Sequence, residues 1–372
     1  MSSNLIAFMR RNGLSQLVVF YGLVALWLST TAMHIPDGYL SPVTAIILYA
    51  LVIPFWWRGL QALRTRVNAR SVPMIALMAA FSFIIMMFNV PLPGGTTGHA
   101  VGATLAAILL GPEIGGLAVS IALIIQALFF GDGGITAIGA NCFNMGVVMP
   151  YVAWWVYQAI GGSAPLVANR RVVAAAIAGW VAMTAGALVT AIEFGIQPML
   201  FTDASGTPLY APYPLEVAIP AMLIPHMLVA SVIEGAVTAL VLVYLQRSNQ
   251  AALQLNGAPA TTVGATGAPS YRWLWVGLAV LAVATPLGLL APGTAWGEWG
   301  SDEFAELGLS VVPQGLAQLE GVWGAPMADY EIGFLGNASV GYILSAVVGI
   351  AVVAGLVWLL SAALARRQTP AA

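Results

Sequence analysis

The chain contains three histidines, and their surroundings single them out as candidate metal ligands. His34 stands in MHIPDGYL at 33–40, directly after an apolar run. His99 stands in PLPGGTTGHAVGATLAAILLGPEIGG, where glycines and prolines force a tight, non-helical entry into the next apolar segment. His226 falls inside an apolar run, in IPHMLVASVIEG. Imidazole suits nickel, cobalt, copper and zinc, and a nitrogen-rich site has no intrinsic reason to prefer cobalt over nickel. The topology derived below puts His34 and His99 on one face, which favours a metal shared between them. For His226 a hydrogen-bonded packing role is the simpler reading. Around the pair, Asp37 and Gly38 shape the turn that holds His34, the aspartate through a side-chain to backbone bond. Asn141 and Asn144, in GANCFNMG, are polar groups within a span that serve either as support for the binding loop or as glue between helices.

The residue types exclude other chemistry. All twelve basic residues are arginine, and without lysine there is neither a Walker A phosphate loop nor a Schiff-base enzyme. The single cysteine, Cys142, rules out an internal disulfide and a CxxC metal site, and reads as a small buried hydrophobe. A membrane enzyme finds no support, since HExxH, GxSxG and an inward acidic pair are all missing.

The elements that must position these residues follow from composition. A 372-residue chain with 60% hydrophobic and 7% charged residues cannot cover its apolar surface in water, so it is a polytopic membrane protein. Apolar runs lie at about 14–32, 41–57, 73–92, 113–130, 134–160, 172–192, 215–246, 273–291 and 338–364, each near the ~20 residues that cross a bilayer. A tenth, 99–111, is too short to span ~30 Å as a helix and must be shielded by protein or stop at a re-entrant depth. Counting it as a crossing gives ten, and all twelve arginines (Arg10, Arg11, Arg58, Arg64, Arg66, Arg70, Arg170, Arg171, Arg247, Arg272, Arg366 and Arg367) then fall on one side. By the positive-inside rule that side is the cytoplasm, which places both chain termini there and both loop histidines outside.

The acids mirror this arrangement. Asp37, Asp132, Glu193, Asp203 and Glu216 lie at outward ends or loops, and the 292–336 loop adds seven more without a basic residue, a face that concentrates cations. Two stand apart: Glu113, after Gly111-Pro112, is placed to cap the next helix, and mid-helix Glu234 needs a buried partner or a proton.

Four parts result. Residues 1–32 are either a cleavable leader ending in STTA or an extra helix; cleavage makes Met33 the amino terminus. Residues 33–247 form a seven-crossing, metal-binding block, 248–271 is a Gly/Ala/Thr/Pro-rich cytoplasmic linker, and 272–372 is a two-helix hairpin with an acidic outer loop.

The motifs at 33–40, 91–150 and 224–240 resemble the substrate-binding membrane component of cobalt and nickel energy-coupling-factor transporters, the CbiM/NikM family, over about 33–247. The terminal hairpin resembles the small accessory membrane component of the same systems, here fused. The resemblance implies a metal held by the amine of Met33, the backbone nitrogen and imidazole of His34, and the imidazole of His99. Such a set forms fused five- and six-membered chelate rings and, with the fourth nitrogen, a square plane suited to Ni(II). It requires that 1–32 be removed, because an intact chain has no amine at Met33. It also implies a separate coupling transmembrane protein and separate cytoplasmic ABC ATPases as partners, lipid around the bundle, Ni2+ or Co2+ as the transported ion, and no prosthetic group or nucleic acid. The expectation is an all-α transmembrane bundle in the inner (plasma) membrane that captures a divalent ion outside and passes it inward, with an ATP-independent cation channel or secondary carrier as the alternative.

Overall fold

The computed structural model describes residues 33–66, 71–92, 96–248, 250–254, 271–291, 294, 296–306 and 311–366. Residues 1–32 and most of the 248–271 linker lie outside the described residues, and so do the expectations that fall on them. Thirteen helices are labelled in chain order: α1 Pro42–Arg66, α2 Val72–Met86, α3 Ala103–Leu110, α4 Pro112–Ile125, α5 Ile138–Phe143, α6 Met149–Gly161, α7 Asn169–Gly195, α8 Leu215–Pro225, α9 Ser231–Ser248, α10 Arg272–Ala284, α11 Ser301–Glu306, α12 Gln314–Leu319 and α13 Ala338–Arg366. A small antiparallel hairpin, β1 Val90–Leu92 and β2 Thr96–Gly98, pairs Val90 with Gly98 and supplies the tight entry before His99.

Among the described residues six helices are long and apolar enough to cross a membrane: Pro42–Arg66, Pro112–Phe130, Asn169–Leu200, Leu215–Ser248, Arg272–Leu290 and Ala338–Ser361, with the shorter Val72–Met86 beside them. The chain is a polytopic helical membrane protein. Its lipid-compatible surface is plain on α1, which buries Thr44, Leu48 and Val52 while Val43, Ile46, Ile47 and Trp57 stand exposed. Exposure on that scale is a liability in water and the norm in hydrocarbon.

Because lipid is as apolar as leucine, helices here associate through close backbone approach at small residues. The pair α7 and α9 meets at Gly179 and Gly235, where a Cβ on Gly179 would lie 2.7 Å from the Gly235 Cα. Likewise α13 seats Gly349 under the ring of Phe83 on α2, binding the terminal hairpin to the rest of the bundle.

The short crossing is resolved as a half-length helix. Only the eight residues of α3 are helical, roughly 12 Å at 1.5 Å per residue, and all eight are buried, so protein rather than lipid surrounds the non-helical backbone before it. Gly111 at φ 80° then turns the chain into α4, which starts on Pro112. Glu113 stands in the first turn of α4, where a negative charge suits the helix dipole. It also pairs with Arg66 at 3.4 Å and Arg58 at 3.8 Å, both on α1, because that helix ends beside the α3–α4 turn.

Three single π turns interrupt the helices, at Gln126–Phe130, Asn144–Val148 and His226–Ala230, each starting on a buried polar residue. Such turns occur disproportionately at functional sites. The loop after α10 folds back over the end of the bundle that carries His34. Tyr39 donates from its hydroxyl to the Trp299 carbonyl at 2.9 Å, Trp323 donates from its indole to the Leu128 carbonyl at 2.9 Å, and the Gly315 and Met327 amides donate to the Leu209 and Phe129 carbonyls. Trp296 is fully buried beneath it, its ring 4.4 Å from that of Tyr213.

Candidate metal centre

The segment that carries His34 is extended and would have many unpaired backbone groups, so its position depends on what satisfies them. Asn141 on α5 pairs with Ile35 in both directions: the Ile35 amide donates to Asn141 Oδ1 at 2.8 Å, and Asn141 Nδ2 donates to the Ile35 carbonyl at 3.1 Å. Asp37 accepts from the Ile135 and Thr136 amides at 3.1 and 2.7 Å and from the Thr136 hydroxyl at 2.5 Å. Between these clamps the Gly134 amide donates to the Ile35 carbonyl at 2.9 Å. Asn141 and Asp37 thus hold the residues that follow His34 against α5 and the 131–137 loop.

His99 is held from a different helix. Mid-helix Glu234 on α9 finds its buried partners in the α3 amino terminus: the Val101 and Gly102 amides donate to Oε2 at 2.9 Å each, and the Thr104 amide donates to Oε1 at 3.1 Å. A carboxylate there satisfies orphan amides and favours the positive end of the helix dipole. Gly102 takes φ 73° to bring its amide into line, a conformation that suits glycine.

These two supports bring the rings together. His34 Nδ1 lies 3.3 Å from His99 Nε2, with ring centroids 4.9 Å apart, and both side chains are buried. Burial pushes the His99 imidazole down to about 3, helped by His34, so it is neutral and its lone pair is available. Met33 is buried as well, its sulfur directed at the Gly186 position of α7 beside Met149. His226, in its π turn, donates from Nδ1 to the Met222 carbonyl at 2.7 Å. Asn144 is turned to α7 instead, donating to Thr190 at 3.0 Å and Glu193 at 2.8 Å.

The sequence reading assigned Asp132 and Glu298 only to a generally acidic face, yet both touch His34. Asp132 Oδ1 is 2.9 Å from His34 Nδ1. Burial alone would push its carboxyl up, but the His34 imidazole beside it, with hydrogen bonds from His34 and Tyr330, brings it down to about 2. The signal for this residue was local: Asp132 is flanked by Gly131 and Gly133 at φ 69° and 84°, and a Cβ on Gly133 would fall 2.8 Å from Asn141 Nδ2. Glu298 accepts the His34 backbone amide, and burial, with the Asp132 charge, pushes its carboxyl well above the usual range. Among the described residues no three His, Cys, Asp or Glu side chains are spaced to hold a metal by themselves.

Two family descriptions match the chain. Residues 34–252 match the CbiM cobalt uptake substrate-specific transmembrane region, and residues 271–366 match the PDGLE domain. A fused nickel transport protein NikMN from Rhodobacter capsulatus is 49% identical over 340 residues, covering 87% of this chain and 96% of the relative. A probable fused nickel transport protein LarMN from Lactiplantibacillus plantarum is 42% identical over 327 residues, covering 86% and 94%. In structure, a crystallised truncated transition metal transporter superposes with a TM-score of 0.54 at 48% identity over 57% of this chain and 98% of its own. The chain therefore belongs to the CbiM family of substrate-specific transmembrane transport components.

Proposed function

We propose that the chain captures a divalent transition-metal ion, Ni2+ or Co2+, at its outer face and delivers it inward as the substrate-specific component of an ATP-driven energy-coupling-factor transporter. The observation that carries the reading is the 3.3 Å approach of His34 Nδ1 to His99 Nε2. Metal–nitrogen bonds of about 2.0–2.1 Å set neighbouring donors of a square plane about 3 Å apart. Two buried nitrogens from different helical supports at that spacing suit one shared ion better than a packing contact.

In this reading residues 1–32 are absent from the mature protein, and the donors are the Met33 amine, the His34 backbone nitrogen, His34 Nδ1 and His99 Nε2. Glu298 already accepts the His34 amide proton and so stands where a base is needed when that nitrogen binds metal. Asp37 and Asn141 hold the loop, and Asn144 and His226 belong to the surrounding shell. The four-nitrogen set fits nickel best, in line with the two fused nickel transport relatives. Residues 33–247 form the binding block and 272–372 the accessory hairpin, joined by a cytoplasmic linker, with both termini of the full chain facing the cytoplasm of an inner-membrane protein. The driving ATPases and the coupling protein are separate chains, since this one has no lysine for a phosphate loop.

Uptake of radiolabelled nickel into cells producing the chain tests this reading. Uptake should require co-produced ATPase and coupling protein and be lost in His34→Ala. Undiminished uptake without the ATPase would return the channel or carrier alternative.

A further inference from the structure

The accessory segment does more than cover the centre. We propose that Tyr330, contributed by the carboxy-terminal segment, is a positioning residue of the metal centre that acts through Asp132 on the His34 imidazole; this rests on the metal-capture reading above. Tyr330 donates from its hydroxyl to Asp132 Oδ2 at 2.5 Å, and Gln126 Nε2 donates to the same oxygen at 3.1 Å and to the Tyr330 hydroxyl at 2.9 Å. With Oδ2 held by two donors, Oδ1 is left facing His34 Nδ1 at 2.9 Å. At that distance the carboxylate accepts from an N–H on Nδ1, so Asp132 orients the His34 ring before metal arrives, and once Nδ1 has given up that proton to bind metal it stands as a negative charge beside the dication.

A second, independent observation is the backbone. Asp329 and Tyr330 take φ 53° and 60° and are the only non-glycine residues with positive φ among the described residues. Side chains rarely adopt that conformation, and it persists where surrounding structure over-determines it. Here the Tyr330 ring is stacked on Phe130 at 4.9 Å, edged by Tyr342 at 5.4 Å, and its carbonyl accepts from the Ser345 hydroxyl of α13 at 2.7 Å. The strained turn thus aims one hydroxyl, from a segment remote in sequence, at the carboxylate that holds His34.

The test is titration of the purified mature protein, beginning at Met33, with nickel chloride, comparing wild type, Tyr330→Phe, Asp132→Asn and the double variant. Tyr330→Phe keeps the stacked ring and should leave the melting temperature in place while weakening nickel binding about tenfold. Asp132→Asn should weaken it by about ten- to hundredfold, and the double variant should be no worse than Asp132→Asn alone. Nickel affinity of Tyr330→Phe within twofold of wild type, or an equal further loss in the Asp132→Asn background, overturns the proposal and leaves the capture reading standing. Wild-type protein that binds no nickel sinks the capture reading itself. Should Tyr330→Phe not fold, Ser345→Ala, which frees the Tyr330 carbonyl, must weaken binding in the same direction; unchanged affinity there overturns the proposal.

Discussion

Replacing Glu234 by alanine removes the sole carboxylate acceptor of three buried amides, those of Val101, Gly102 and Thr104. Each unsatisfied buried donor costs about 1–3 kcal/mol, and loss of one partner of a buried charged arrangement costs about 3–5 kcal/mol in total. The cavity left at a fully buried position lets water in only by disturbing α3, which is itself enclosed. A loss of about 3 kcal/mol corresponds to a fall of roughly 6–12 °C in melting temperature for a domain of this size. Glu234→Gln, which keeps one carbonyl oxygen, should lose about half as much. Because His99 lies two residues before Val101, nickel affinity should fall along with stability. The assay is a melting curve in detergent, paired with nickel titration at a temperature where both proteins are folded. A Glu234→Ala protein that melts within 2 °C of wild type, a margin far below the roughly 6 °C lower bound, refutes the claim that this carboxylate holds the α3 amino terminus.

The other predictions are more quickly stated. Mass spectrometry of the mature protein should find Met33 as the first residue; an intact Met1 removes the amine donor. Asn141→Leu breaks the two-way pairing with Ile35 and should weaken nickel binding by about ten- to hundredfold, as expected for groups that orient a ligand; titration reads it directly. For pH, His99 is held near 3 when folded and titrates at 6.5 when unfolded, so below about pH 6.5 the unfolded state binds a proton that the folded state refuses. The melting temperature of metal-free protein should therefore drop as pH falls through that window, and less steeply in His99→Gln.

What the sequence made legible follows the scarcity of polar groups. In so apolar a chain a histidine or an acid is conspicuous, and periodicity is unnecessary to see long apolar helices. His34 and His99 were conspicuous for that reason, and the glycine-rich approach to His99 announced a tight turn that proves to be a hairpin. The partners were hidden because they come from far along the chain. Asp132 and Glu298 looked like ordinary loop acids, and only the folded contacts put them on His34. The same holds for Tyr330, whose hydroxyl reaches Asp132 across 198 residues. Glu113 stands in the first turn of its helix as its position suggested, but the two arginines that α1 brings beside it could not be read from the sequence. Such exposed pairs add little to stability. The short apolar run at 99–111 was correctly a segment in need of shielding; its helix is held to eight residues between Gly102 and Gly111, both at positive φ, and Glu234 from a neighbouring helix accepts its first amides.

The central claim is that His34 and His99 bind one ion between them, and the most direct measurement is isothermal titration of nickel into wild type, His34→Ala, His99→Ala and the double variant, all purified as mature protein. Each single substitution should abolish high-affinity binding while leaving membrane insertion intact, and the double variant should be hardly worse than either single one, since two ligands of one ion are strongly non-additive. Near-wild-type affinity in either single variant, or losses that simply add, would contradict a shared site.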